Sequence, residues 1–139
     1  MGWWDVLWLA YFKALIYIPF NSFIFTMPID FKDNNNLRLI TIDGRLDSAG
    51  SDAISTKFSA MSSGAKPAVV VDLSQVSFLS SIGIRLIIQN AKALQGKGGK
   101  MTLFIGENEQ VGTTLESTGI SSLVPMFSDL VLAEQAALA

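Results

Sequence analysis

Residues 68–94 decide the fold, and they read AVVVDLSQVSFLSSIGIRLIIQNAKAL. The first part, residues 68–73, is an apolar run rich in β-branched residues that only Asp72 interrupts, without the alternation of a half-exposed strand. Such a run is typical of a central, parallel strand that is covered on both faces. From Ile84 to Leu94 the apolar residues recur at the spacing of one helix face. The sequence therefore predicts a buried strand followed by an amphipathic helix.

Strands and helices alternate on both sides of this unit. We predict further strands over residues 37–43, 101–105 and 123–127, and further helices that begin near residues 48, 109 and 129. Asp47 or Ser48 can cap the first of these helices, and Asp129 or Ser128 the last. Regular alternation of strands and helices predicts an α/β layer fold.

Residues 1–26 form an apolar, aromatic segment that contains all three tryptophans and only two charged side chains, Asp5 and Lys13. It lacks the basic start and the cleavage site of a secretory signal. Three interpretations remain: an anchor at a membrane interface, an arm that packs on this domain or a partner, or sequence upstream of a natural start at Met27. We favour the third, because ordinary composition begins there, and we predict one domain over residues 27–139.

The composition excludes several classes of function. The chain has 139 residues, enough for one ordinary domain, and contains no cysteine and no histidine. A Ser-His-Asp triad, a thiol nucleophile, a disulfide and the usual zinc sites are therefore excluded. Ten basic and twelve acidic residues give a net charge of -2, which does not suit a nucleic-acid partner.

Two polar clusters match no ligand-binding pattern. Residues 96–100, GKGGK, follow a helix and precede a strand, which is the reverse of a phosphate-binding loop. We interpret them as a turn that ends the helix. Asp43, Asp47 and Asp52 lack the spacing and the glycine of a calcium loop, so capping or solvent-exposed roles are favoured. We expect no metal and no cofactor.

Hydroxyl groups lie between the buried strand and the helix after it. In an α/β sheet, sites collect in the loops that leave the carboxyl ends of the strands. Either Ser80 or Ser81 can be the N-cap of the helix, and this role alone would explain a serine at that point. It does not explain Gly83 in the first turn, because glycine is unfavourable in a helix unless the backbone or a partner must approach closely.

Three separated stretches resemble, in order, the motifs of the STAS domain of bacterial anti-sigma-factor antagonists. Residues 72–79, DLSQVSFL, resemble the end of the family's central strand. Ser80 then stands at the position of the family's aspartate, Ser81 at that of its phosphorylatable serine, and Gly83 at that of its glycine. The other two stretches are residues 44–47, GRLD, and residues 115–120, LESTGI.

The resemblance covers residues 28–138 and implies a mixed β-sheet with about four strands and four helices. It implies a binding protein that is not an enzyme. The unmodified domain would bind an anti-sigma factor, a serine kinase of the GHKL ATPase type, and so release a sigma factor. Phosphorylation of Ser81, or of Ser80 as the alternative, would end this binding, and a phosphatase would reset it.

The resemblance also implies which residues contact the partner: Ser80, Ser81, Ile82, Gly83, Arg85 and Gln89. Two of them depart from the family, because Ser80 replaces an aspartate and Arg85 replaces a small residue.

An alternative function is a non-phosphorylated STAS accessory or scaffold subunit of a membrane transport or signalling complex. We expect a cytoplasmic protein, or one associated with a membrane through residues 1–26. A small-molecule-binding domain would need a pocket with converging polar groups.

Overall fold

The computed structural model describes residues 28–64 and 66–139. In chain order, their elements are β1 (Ile29–Asn34), β2 (Leu37–Leu46), α1 (Ser48–Ser62), β3 (Ala68–Leu79), α2 (Ser81–Gly96), β4 (Lys100–Phe104), α3 (Glu109–Thr118), a 3-10 helix (Ile120–Ser122), β5 (Met126–Phe127) and α4 (Leu130–Leu138). The predicted α/β fold is confirmed, with five strands where about four were expected.

The strands form one mixed sheet in the order β1-β2-β3-β4-β5. The hairpin of β1 and β2 is antiparallel, and its turn places Asn35 in the left-handed region with a φ of 54°. All other neighbouring pairs are parallel. The strand predicted over residues 68–73 is therefore central and parallel, as its composition indicated.

Both faces of the first part of β3, residues 68–71, are buried, which explains why the sequence does not alternate there. Val69 and Val71 belong to the main core, which α1, α2 and α3 cover. Ala68 and Val70 face the other way, into a smaller core that includes Ala133 of α4. Since successive strand residues point to opposite faces, each of residues 68–71 has to be apolar, whereas the second half of the strand also contains exposed polar residues.

Three strands differ from their predicted bounds by more than one residue, and the first of them, β2, continues beyond residue 43 to Leu46. β3 continues to Leu79, because its second half pairs with residues 43–46 of β2. The strand predicted over residues 123–127 is wrong in its first part, and only Met126–Phe127 pairs with β4. The backbone N–H of Val124 instead donates to the carbonyl of Ile120 at 2.8 Å, which continues the preceding helical turn.

The segment of residues 1–26 lies outside the described residues, so the boundary between it and the domain stays a prediction. Within residues 28–64 and 66–139, no helix is both long and apolar enough to cross a membrane.

Candidate functional site

Ser80 is the N-cap of α2 and also joins this helix to the end of β2. Its Oγ accepts a hydrogen bond from the N–H of Gly83 at 3.3 Å and donates one to the carbonyl of Leu46 at 2.5 Å. The N–H of Ser80 donates to the same carbonyl at 3.0 Å. Of the two serines that could cap the helix, the structure selects Ser80, and its hydroxyl is used within the fold.

Ser81 is the first residue of α2, and it is exposed. Its hydroxyl makes no hydrogen bond with any residue of the described part of the chain. The two adjacent serines therefore differ in accessibility: Ser80 is half-buried and bonded, whereas Ser81 can be reached from solvent.

Gly83 is buried where α2 crosses the ends of two strands. A Cβ on Gly83 would lie 2.9 Å from the Cβ of Leu46, 3.0 Å from its carbonyl oxygen and 3.0 Å from Cδ1 of Leu79. These distances are shorter than ordinary van der Waals contacts. Close packing therefore requires glycine here. Because Gly83 is buried, it can affect a partner only by setting the position of α2.

The GRLD stretch supports the same corner of the molecule. Gly44 has a φ of +94° beside an irregularity in the pairing of β2 with β3. This conformation favours glycine. Leu46 then supplies the carbonyl that binds Ser80, and the carboxylate of Asp47 caps α1 by accepting from the N–H of Gly50 at 2.9 Å.

The surroundings of Asp47 favour the ionised form of its carboxyl group. The N–H of Gly50, and after it the side chain of Arg45, hold the pKa of Asp47 below its ordinary value. The Nε of Arg45 lies 3.4 Å from a carboxylate oxygen of Asp47.

Phe78 adds an exposed aromatic ring two residues before Ser80. It is 37% exposed, and the guanidinium carbon of Arg45 lies 4.6 Å from the centre of its ring. Sequence reasoning missed this contact, although the pairing of Arg45 with Phe78 in the β2–β3 register brings the two side chains together. Only the register could have revealed it.

Ile82, Arg85 and Gln89 lie along the accessible side of α2, next to α1. Ile82 is 42% exposed, and Arg85 and Gln89 are exposed as well. A groove of about 150 Å³ runs between the two helices. It is lined by Ser51, Asp52, Ser55, Ile82, Arg85, Leu86 and Gln89.

A second, wider depression lies at the carboxyl end of β3. It measures about 620 Å³ and is lined by residues 74–77 together with Glu107, Asn108 and Gln110. The amide of Asn108 is already used, since it donates to the carbonyls of Leu73 and Val76 at 3.1 and 2.8 Å. Within residues 28–64 and 66–139, no three acidic, His or Cys side chains are grouped to hold a metal ion.

Comparisons with known proteins agree on one family. Residues 28–133 match the model of the STAS domain. No curated protein matches the chain significantly in sequence. An anti-sigma factor antagonist from Mycobacterium paratuberculosis has a similar structure, with a TM-score of 0.73, 22% identity, and coverage of 80% of this chain and 93% of that one.

Two further structures are similar. An anti-sigma-factor antagonist (STAS) domain protein from Planctomyces limnophilus has a TM-score of 0.68 and 25% identity, over 78% of this chain and 96% of that one. The murine Solute Carrier 26 family member A9 anion transporter has a TM-score of 0.62 and 21% identity, over 76% of this chain but only 18% of that one. The fold thus also occurs as a small part of a much larger protein.

Proposed function

We propose that this chain, which belongs to the STAS domain family, is an anti-sigma-factor antagonist that is switched off by phosphorylation of Ser81. The unmodified domain binds an anti-sigma factor, a serine kinase of the GHKL type, in the cytoplasm and so releases a sigma factor. The similar structure from Planctomyces limnophilus, itself an anti-sigma-factor antagonist, supports this choice within the family. The protein is then ligand and substrate, not catalyst.

One observation carries the choice of Ser81 over Ser80. The hydroxyl of Ser81 is exposed and has no hydrogen bond with a described residue, whereas that of Ser80 is bonded to the Leu46 carbonyl and to the N–H of Gly83. A kinase acting on Ser80 would first have to break both bonds and open the first turn of α2. Ser81 can accept a phosphoryl group with the helix intact.

The physical effect of the phosphate supports a switch that leaves the fold unchanged. A phosphoryl group on Ser81 adds a charge of about -1.5 to -2. At the first position of α2 it lies near the positive end of the helix dipole, which stabilises it. The same charge is costly once a partner covers it and removes its water. Phosphorylation therefore weakens docking and spares the domain.

The docking surface in this proposal combines apolar and charged side chains. Ile82 and Phe78 supply exposed apolar area on either side of Ser81 in the sequence. Arg85 and Gln89 extend this surface by two turns of α2. An apolar patch with a polar rim is typical of a protein interface. Because Ser81 directly precedes Ile82 in the sequence, a partner that covers Ile82 would also cover the phosphate site.

The test uses the full chain and its Ser81 variants as baits in lysate of the source cells, with and without ATP. Wild type and Ser81→Ala should capture the same protein, Ser81→Asp should not, and ATP should add one phosphate to wild type alone. The captured protein is then purified and titrated with each bait. Equal affinity of all three forms, or a phosphate mapped to Ser80, would contradict the proposal.

A second candidate is a non-phosphorylated accessory subunit of a membrane transport complex. Two observations favour it: the apolar, aromatic composition of residues 1–26, and the presence of this fold in a murine anion transporter. Membrane flotation separates the two functions. A protein that floats with membranes, resists a salt wash, is released on deletion of residues 1–26 and gains no phosphate would support the second candidate.

A further inference from the structure

We propose that Arg85 is the internal counter-ion of the phosphoryl group on Ser81. This inference rests on the proposed function, in which Ser81 accepts the phosphate. It assigns to Arg85 a role within the modified domain itself, beside its place on the docking surface.

The helix brings the two side chains together. Ser81 and Arg85 are four residues apart in α2, and both are exposed. Residues at this spacing are neighbours on a helix surface, with Cβ atoms about 5–6 Å apart. Helical side chains also lean toward the N-terminus, so the long side chain of Arg85 extends over the turn that begins at Ser81. An acidic group placed N-terminal to a basic one at this spacing is the favourable order.

Arg85 makes no ion pair within residues 28–64 and 66–139, where the two pairs are Arg38 with Asp33 and Arg45 with Asp47. Among the residues that line the adjoining groove, the one acid is Asp52 of α1, and no oxygen of Asp52 lies within 4.0 Å of the guanidinium of Arg85. Arg45 is bound to Asp47 and stacked on Phe78. Arg85 is therefore the cation that can turn to a phosphate without giving up another charge.

The pairing would change the docking surface in two ways at once. The phosphate adds negative charge at the start of α2, and at the same time it withdraws the positive charge of Arg85 from a partner. A partner that places an acidic group against Arg85 would lose an attraction and meet a repulsion. Arginine is suited to this exchange because its planar guanidinium can bind two oxygens of a phosphate.

The test measures the second ionisation of the phosphate by 31P NMR in the full chain, with phosphoserine installed at position 81 by genetic-code expansion. The substitution Arg85→Gln should raise this pKa by about 0.3 unit. An exposed ion pair at this spacing contributes about 0.4 kcal/mol, and about 1.4 kcal/mol corresponds to one pKa unit. Lys92→Gln is the matched control. It removes one positive charge from an exposed position of the same helix that lies about 16 Å from Ser81 along the helix axis, beyond the Debye length.

A shift in Arg85→Gln that Lys92→Gln does not show supports the pairing, and equal titration of the two variants overturns it. The phosphoserine is installed without any kinase, so the outcome does not depend on enzymatic phosphorylation. If the pair forms but no kinase of the source cells modifies Ser81, the proposed function fails while the internal pairing stands. If the kinase modifies Ser81 but the titrations are equal, the reverse holds.

Discussion

Replacement of Gly83 by alanine tests the packing that positions Ser81. Alanine favours a helix over glycine by about 1 kcal/mol, so propensity alone predicts a more stable protein. The new methyl group, however, would meet Leu46 and Leu79 at 2.9–3.0 Å, and one of the three atoms it meets is a backbone oxygen. Overpacking of this kind costs about 1–3 kcal/mol. Any shift of α2 also strains the bond from Ser80 to Leu46, worth about 0.5–1.5 kcal/mol.

The balance is a net loss of about 1–2 kcal/mol in the free energy of unfolding. Urea unfolding of the full chain should show it as a fall in the midpoint of about 1 M. Gly96→Ala is the control, because a Cβ at Gly96 meets nothing within 4 Å at the other end of the same helix. This variant should match wild type or exceed it by up to about 0.5 kcal/mol. If Gly83→Ala proves as stable as Gly96→Ala, close packing is not the reason for glycine at position 83.

Two further predictions concern the same fold. Ser80→Ala should lower the free energy of unfolding by about 1–2 kcal/mol, because it removes a helix cap and a bond between elements, whereas Ser81→Ala should change it by less than about 0.5 kcal/mol in the same urea experiment. The ion pair with Arg38 lowers the pKa of Asp33 in the folded state, so its stabilising effect should be complete above about pH 4 and lost as the pH falls further. The urea midpoint should therefore change less between pH 6 and pH 3 in Asp33→Asn than in wild type or in the exposed control Asp52→Asn. If Asp33→Asn shows the same change as wild type, the ion pair does not contribute to the pH dependence of stability.

The sequence revealed the elements whose burial leaves a periodic trace. The first part of the central strand and α2 were predictable because apolar side chains occupy most of their buried positions. Residues 28–31 alternate as in a strand, but β1 was not given bounds among the predicted strands, because Ile29 is its only buried residue and the other five are exposed. Such a strand is held by backbone hydrogen bonds to β2, which leave no mark in the side-chain pattern.

The candidate site was predictable in part. Ser80 and Ser81 are equivalent as local caps, and only the carbonyl of Leu46, 34 residues earlier, distinguishes them. Gly83 attracted attention because glycine is unusual in a first helical turn, and the structure supplies the reason in its contact with β2. The stacking of Arg45 on Phe78 depends on the register of two strands, which no single segment specifies.

Two of the connections around the site consist of a single residue. Asp47 alone separates β2 from α1, and Ser80 alone separates β3 from α2. With no slack in the chain, one inserted residue at either point would rotate the helix by about 100° and turn its apolar side toward water. Reporter peptides and affinity tags are therefore better inserted in the longer stretch between α1 and β3, where lengthening the chain leaves both joints at their native length.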